Sequence, residues 1–103
     1  MTQRYLVVGT GLIGTSIALG LRAAGHIVLL HDTDPDALRV AIDASGGKAW
    51  DGQAQVDVAV VATPPATVAE VVRHLAENLP TAVITDVSSV KGSVLTTAGS
   101  VPG

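Results

Sequence analysis

Three glycines near the start of the chain have the spacing needed to hold a phosphate pair. Gly9, Gly11 and Gly14 form a G-x-G-x-x-G pattern. We expect Gly9 to permit a tight turn, Gly11 to let a pyrophosphate approach the backbone, and Gly14 to let a helix pack against a sheet. The helix N-terminus would add unpaired N–H groups and the positive end of its dipole. Because the pattern by itself also fits an ordinary strand-to-helix turn, its context decides.

An acidic residue lies where a dinucleotide site requires one. Asp32 follows Gly14 at close to the spacing of about 20 residues at which a carboxylate meets the adenosine ribose. We expect it to accept hydrogen bonds from both ribose hydroxyls of NAD, and to repel a 2′-phosphate by about 4 kcal/mol per unit charge at about 4 Å and an effective dielectric of about 20. Arg39, the next arginine along the chain, falls within a predicted helix. The pattern therefore favours NAD over NADP. Helix capping is an alternative role for Asp32, although Asp34 is better placed for it.

Two further segments bring polar residues to the end of a predicted strand. We expect Ala62, Thr63 and Pro64 to contact the cofactor, with Thr63 able to form a hydrogen bond. The prolines of this segment could instead simply start a helix. Segment 88–91, Ser-Ser-Val-Lys, offers two hydroxyls and an ammonium that could face a substrate. A serine there could equally be an N-cap and nothing more.

The histidines and the single tryptophan receive no chemical role. His26 and His31 flank the second predicted strand, and His74 falls on the third predicted helix, away from the ligand edge. We interpret all three as surface or interface residues. Since none has a partner at a spacing typical of metal ligands, no metal site is predicted. Trp50 is expected to pack over the edge of the sheet, and Glu70 to lie on a solvated helix face.

The predicted elements alternate in a way that is typical of an α/β fold. Strands are predicted over 4–8, 26–31, 48–50, 57–62 and 81–86, and helices over 12–24, 35–44 and 66–78, with a loop and a short helix within 88–98. Right-handed crossovers then favour a Rossmann-type, doubly wound parallel sheet of about five strands in the order 3-2-1-4-5. In that topology the glycine turn, Asp32 and segments 62–65 and 86–89 all meet at the carboxyl edge.

The composition agrees with this fold and excludes several classes of partner. The 103 residues are sufficient for a single domain, and 48% of them are hydrophobic but only 2% aromatic, as suits a parallel sheet covered by helices. A net charge of −3 argues against nucleic acid or an anionic membrane as a partner. The absence of cysteine excludes thiolate chemistry and disulfides. No apolar run is long enough to span a bilayer, so we expect a soluble domain. The lack of cysteine is consistent with a cytoplasmic protein, which is the location we expect.

Two longer segments resemble the prephenate and arogenate dehydrogenase family of tyrosine biosynthesis. Segment 11–18 reads G-L-I-G-T-S-I-A, and segment 85–92 reads T-D-V-S-S-V-K-G. Segments 31–35 and 62–64 match the same pattern, so the resemblance covers essentially the whole chain. The second segment is the more specific, since many dehydrogenases share the glycine motif. The resemblance implies oxidative decarboxylation of prephenate or arogenate with NAD, in which hydride leaves the ring carbon that bears the 4-hydroxyl and carbon dioxide is lost.

The same resemblance implies roles for individual residues and a longer parent protein. Ser89 matches the family serine that lies near the substrate hydroxyl and the catalytic histidine, and it is our one candidate catalytic residue. Lys91 matches a family lysine to which we assign no definite role. In the family, that histidine and a helical dimerisation domain with a substrate-binding arginine would follow Gly103. We therefore expect residues 1–103 to be the amino-terminal, dinucleotide-binding domain of a homodimeric enzyme, able to bind NAD but with negligible turnover alone.

Two other functions stay open on the sequence. Dehydrogenases and reductases of the 3-hydroxyacid or imine reductase type share the glycine motif and the A-T-P segment, but they usually lack S-V-K-G. A non-catalytic module, in which NAD binding is itself the output, is the third possibility.

Overall fold

Five parallel strands form the central sheet of this computed structural model, which describes residues 2–87. In chain order the elements are β1 (Arg4–Val8), α1 (Leu12–Ala23), β2 (Ile27–His31), α2 (Pro35–Ser45), β3 (Lys48–Ala49), β4 (Val58–Val61), α3 (Pro65–Asn78) and β5 (Val83–Asp86). The strands lie in the order β3-β2-β1-β4-β5, and every pairing is parallel. The predicted fold class and strand order are therefore confirmed.

Helices cover both faces of the sheet because its central strands are apolar on both sides. Leu6 and Val8 of β1 belong to one core cluster, to which α3 contributes Leu75. Val7, which points the opposite way, belongs to a second cluster with Ala18 of α1 and residues of α2. Successive side chains of a strand alternate between faces, so a continuous apolar run such as Leu6 to Val8 requires cover on both.

The helices begin and end close to the capping residues that the sequence predicted. The Asp34 side chain caps α2 by accepting hydrogen bonds from the N–H groups of Asp36 and Ala37, as predicted. Gly25 follows α1 and Gly46 follows α2, each with a positive φ (93° and 82°). Such a left-handed residue closes a helix, and glycine adopts it without a steric penalty.

Several boundaries differ by one or two residues from those predicted. Strand β2 begins at Ile27, because the N–H of His26 instead donates to the Leu21 carbonyl at the end of α1. Strand β5 begins at Val83, since Ala82 forms a turn back to Leu79. The helix expected within 88–98 lies outside the described residues. Among the helices of residues 2–87, none is long and apolar enough to cross a membrane.

Candidate dinucleotide site

The glycine turn joins β1 to α1 at the carboxyl edge of the sheet, and two of its glycines are required by close packing. Gly9 has a φ of +99°, and a Cβ added there would lie 2.6 Å from the carbonyl oxygen of Ala62. A Cβ added at Gly14 would collide with the carbonyl oxygen of Gly9. The turn therefore lies directly between β4 and the first turn of α1, with no room for a side chain at position 9 or position 14.

Gly11 differs from these two because it faces open space. A Cβ added at Gly11 would meet nothing within 4 Å, and this residue is the N-cap of α1 with an extended backbone. Within residues 2–87 no side chain caps the first N–H groups of α1, whereas Asp34 does so for α2. The next residue, Leu12, is 86% exposed. The start of α1 thus presents N–H donors and a positive helix end to the cleft, as pyrophosphate binding requires.

Asp32 lies directly after β2 and is bonded to the glycine turn. Its Oδ2 accepts hydrogen bonds from both the N–H and the hydroxyl of Thr10, each at 2.7 Å, and its Oδ1 accepts one from the N–H of Asp34 at 2.8 Å. Partial burial raises the pKa of Asp32, but the hydrogen bonds from Asp34 and Thr10 outweigh that effect and hold the pKa below its ordinary value. The group is therefore an ionised acceptor at neutral pH.

The end of β4 forms the opposite wall of the turn. The Ala62 N–H donates to the Val8 carbonyl at 2.8 Å, which continues the sheet pattern beyond β4 and brings the Ala62 backbone against Gly9. The hydroxyl oxygen of Thr63 is buried and has no hydrogen-bond partner among residues 2–87. Pro64 is the N-cap of α3 and also lacks a capping side chain.

These segments surround one open cleft of about 1660 Å³. Ordinary small-molecule pockets measure about 300–1,000 Å³, so this cleft has room for an extended ligand. Every predicted cofactor-binding residue except Gly14 lines it, namely Gly9, Gly11, Leu12, Ile13, Asp32, Ala62, Thr63 and Pro64. Gly14 is buried in α1, beneath the turn, which agrees with the packing role expected for it.

The structure adds aromatic and ionisable residues that the sequence analysis set aside. His31, Trp50, Glu70 and His74 all line the cleft. The expectation that His74 points away from the ligand edge was therefore wrong, because α3 crosses the sheet so that one of its sides borders the cleft. The rings of His31 and Trp50 meet edge to face, 6.0 Å apart. Trp50 directly follows β3, and the carboxyl ends of all parallel strands share one edge, a signal that could have placed it here.

The remaining sequence candidates fall outside what the structure describes. Ser89, the candidate catalytic residue, and Lys91 both lie beyond residue 87. Within residues 2–87 no group of three His, Cys, Asp or Glu side chains is placed to hold a metal ion. The described part of the cleft therefore contains predicted cofactor-binding residues but not the predicted catalytic residue.

Three features together define a dinucleotide-binding domain. They are the parallel sheet in this strand order, the glycine turn at the start of α1, and the acidic residue after β2. The family model of the nucleotide-binding domain of prephenate dehydrogenase matches residues 17–101, and the chain belongs to that family. Because the match begins after the glycine turn, the geometry of residues 9–14 supports nucleotide binding independently of it. The predicted family resemblance is confirmed.

Individual relatives agree with this assignment. A probable prephenate dehydrogenase from Streptomyces niveus is 43% identical over 88 residues, which cover 85% of this chain and 24% of that protein. The crystal structure of Synechocystis arogenate dehydrogenase matches with a TM-score of 0.71 and 28% identity, over 81% of this chain and 32% of that one. A Mycobacterium tuberculosis 3-hydroxyisobutyrate dehydrogenase, solved with L-serine, matches with a TM-score of 0.66 and 25% identity, over 84% and 31%. The chain thus spans about a quarter to a third of the length of these relatives.

Proposed function

We propose that this chain is the NAD-binding domain of a prephenate or arogenate dehydrogenase, an enzyme of tyrosine biosynthesis. The observation that carries the proposal is the start of α1, where Gly11 is open to the cleft and no side chain of the described part of the chain caps the N–H groups. Membership of the prephenate dehydrogenase family supplies the substrate class. When bound, the nicotinamide would accept the hydride that leaves the substrate ring.

The residues of the cleft would bind and orient the two halves of the dinucleotide. The N–H groups of Gly11, Leu12 and Ile13 would donate to the pyrophosphate. The ionised Asp32 would accept from the adenosine ribose, and the buried hydroxyl of Thr63 is a donor that still lacks a partner within residues 2–87. These contacts would fix the cofactor at the edge where β1 and β4 diverge.

The preference for NAD over NADP rests on charge. A 2′-phosphate would have to lie beside the Asp32 carboxylate, whose hydrogen bonds keep it ionised. The arginine that follows in sequence, Arg39, lies on α2 and pairs with Asp36 at 3.2 Å. Such an exposed ion pair is weak, but in it the Arg39 guanidinium points toward the first turn of α2. Neither feature favours binding of a 2′-phosphate.

The reaction itself would need residues beyond the described part of the chain. Ser89 stays our candidate for a contact with the substrate hydroxyl, and the general base and the substrate carboxylate site would come from later segments of a longer protein. We propose that this longer protein is a cytoplasmic homodimer. Residues 1–103 alone would then bind cofactor without appreciable turnover.

Cofactor binding can be measured on the chain as it stands, because its single tryptophan, Trp50, lines the cleft. Titrating the Trp50 fluorescence with NAD and with NADP should give tighter binding of NAD by about tenfold or more. Equal affinity would refute the role of Asp32 in cofactor choice, and no binding of either would refute the proposed function.

Identifying the substrate requires the protein encoded by the complete reading frame. Production of NADH should depend on prephenate or arogenate, with release of carbon dioxide in equal amount. Activity on 3-hydroxyisobutyrate instead would favour the 3-hydroxyacid class, to which one structural relative belongs. NAD binding without turnover of any of these substrates would favour a non-catalytic module.

A further inference from the structure

The side chain of Thr10, the variable residue between the first two glycines, is directed away from solvent and toward Asp32. Thr10 is only 5% exposed, and its hydroxyl and its N–H both donate to Asp32 Oδ2 at 2.7 Å. Both distances are typical of charge-assisted hydrogen bonds to a carboxylate. A side chain that could have faced the ligand is instead used to hold the acid.

The Thr10 peptide is itself fixed on its other sides. Its carbonyl oxygen accepts a hydrogen bond from the Thr15 hydroxyl at 3.1 Å, and the preceding Gly9 N–H donates to the His31 carbonyl at 2.8 Å. The turn is therefore tied to the end of β2 through two adjacent peptides and one side chain. An acid held by such a framework keeps one orientation as ligand arrives.

The number of free acceptor positions on Asp32 is small. A carboxylate has about four lone-pair positions, two on each oxygen. Both positions on Oδ2 are used by Thr10, and one on Oδ1 is used by the Asp34 N–H. One position on Oδ1 is left for a ligand, which is fewer than the two that the sequence analysis expected for the ribose hydroxyls.

We propose that Thr10 is a positioning residue that orients Asp32 so that its carboxylate accepts from one ribose hydroxyl, and not from both. This role rests on the proposed function, because the ribose is that of the bound dinucleotide. Thr10 lines the cleft, and its hydroxyl donates to Asp32. It acts by fixing the direction of the remaining acceptor, and it thereby contributes to the discrimination between NAD and NADP.

The experiment compares Thr10→Val, which keeps the shape but loses the hydroxyl, with Thr10→Ser, which keeps the hydroxyl. Thr2→Val serves as the matched control, since the Thr2 hydroxyl donates to Gly25 at the opposite end of the sheet. Thr10→Val should weaken NAD binding by about tenfold, because the released carboxylate no longer directs its acceptor toward the ribose and a hydrogen bond from the ribose hydroxyl to a charged group is lost. NADP binding should be nearly unchanged. Thr10→Ser and Thr2→Val should stay within about twofold of the wild type.

A second measurement uses the wild-type chain with 2′-deoxy-NAD and 3′-deoxy-NAD. One analogue should lose about tenfold in affinity and the other less than about twofold. Equal losses for the two analogues would overturn the single-acceptor arrangement. Equal losses of NAD and NADP affinity in Thr10→Val would overturn the positioning role and indicate a structural role in the turn.

The hold of Thr10 on Asp32 can be tested without any cofactor, and therefore separately from the proposed function. An NMR titration of the Asp32 side-chain carboxyl without any cofactor should show its pKa rise in Thr10→Val and stay low in Thr10→Ser. An unchanged pKa in Thr10→Val would contradict the hold of Thr10 on Asp32. Absence of NAD binding by a wild type that shows the expected titration would refute the proposed function and, with it, the ribose contact.

Discussion

The glycines of the turn give the sharpest test of how the site is built, because the structure assigns opposite roles to Gly11 and Gly14. Gly11→Ala adds a methyl group that meets no protein atom within 4 Å, at a φ of −72° that alanine also adopts. Replacing glycine at such a compatible position contributes about 0.4–1 kcal/mol of stability, and alanine is poorer than glycine as an N-cap by a similar amount. The free energy of unfolding should therefore change by less than about 1 kcal/mol.

NAD binding, in contrast to stability, should be strongly weakened by Gly11→Ala. The methyl group at position 11 would occupy the surface that the pyrophosphate must approach, and it would lengthen or break one of the N–H to phosphate bonds. A hydrogen bond to a charged group contributes about 1.5–3 kcal/mol, so NAD affinity should fall by about 10- to 100-fold. The reduced affinity would appear in a Trp50 fluorescence titration of a fully folded protein.

Gly14→Ala should instead damage the fold. Alanine favours a helix interior by about 1 kcal/mol, but its Cβ would collide with the Gly9 carbonyl oxygen. That oxygen cannot easily move, since the Gly9 N–H is bonded to His31 and the Gly9 backbone lies against Ala62. Because the overlap is with backbone, we expect a cost at the upper end of the usual range of about 1–3 kcal/mol for overpacking, about 3 kcal/mol, and therefore a net loss of roughly 2 kcal/mol.

Thermal unfolding separates the two variants. A loss of 1 kcal/mol lowers the midpoint by about 4–8 °C in a domain of this size, which should be seen for Gly14→Ala and not for Gly11→Ala. The reasoning would be refuted by a Gly14→Ala protein as stable as the wild type. It would also be refuted by a Gly11→Ala protein that binds NAD with unchanged affinity.

Three further predictions concern stability. Asp34→Ala removes the side-chain cap of α2 and should lower the free energy of unfolding in urea by about 1 kcal/mol; a change near zero would contradict the capping role. Leu75→Ala empties a position that is 2% exposed in the core beneath α3 and should cost about 2–5 kcal/mol in the same assay, whereas a cost below 1 kcal/mol would mean that α3 packs loosely. Because the pKa of Asp32 is lowered on folding, its contribution to stability is complete above the unfolded pKa of about 3.9 and is lost as the pH falls through the lower folded value. Urea unfolding between pH 5 and pH 2 should therefore show a smaller acid-induced loss for Asp32→Asn than for the wild type, and identical profiles would argue against the hydrogen bonds to Asp32.

The order of elements could be predicted because each of its signals is local. Apolar runs such as Leu6 to Val8, the cap at Asp34 and the glycines at the helix ends act within a few residues, so they are visible in the sequence. The right-handed crossover rule then leaves few topologies for alternating strands and helices. The boundaries at His26 and Ala82 were missed because the backbone N–H groups there donate to the carbonyls of Leu21 and Leu79, at the end of the preceding helix, and so lengthen the helix-ending turns at the expense of the strands.

The residues of the site were predictable where a motif specifies them and not where only packing does. Spacing alone brought Gly9, Gly11 and Asp32 to one edge of the sheet, since parallel strands end on the same side. Trp50 belongs to no motif, but its position directly after β3 could have placed it at the same edge. His74 belongs to no motif either, and it borders the cleft only through the way in which α3 lies against the sheet.

The sequence by itself determined the class of domain, because glycine spacing, strand pattern and the family segments are properties of the linear chain. Only the tertiary structure decided how many hydrogen-bond acceptor positions of Asp32 remain for a ligand. Thr10 and Asp32 are far apart in sequence, and the parallel pairing of β1 with β2 brings them within hydrogen-bond distance. Hydrogen-bond capacity is consumed by whichever donors the fold places nearby, so the number of acceptors left for a ligand can be counted only once the chain is folded.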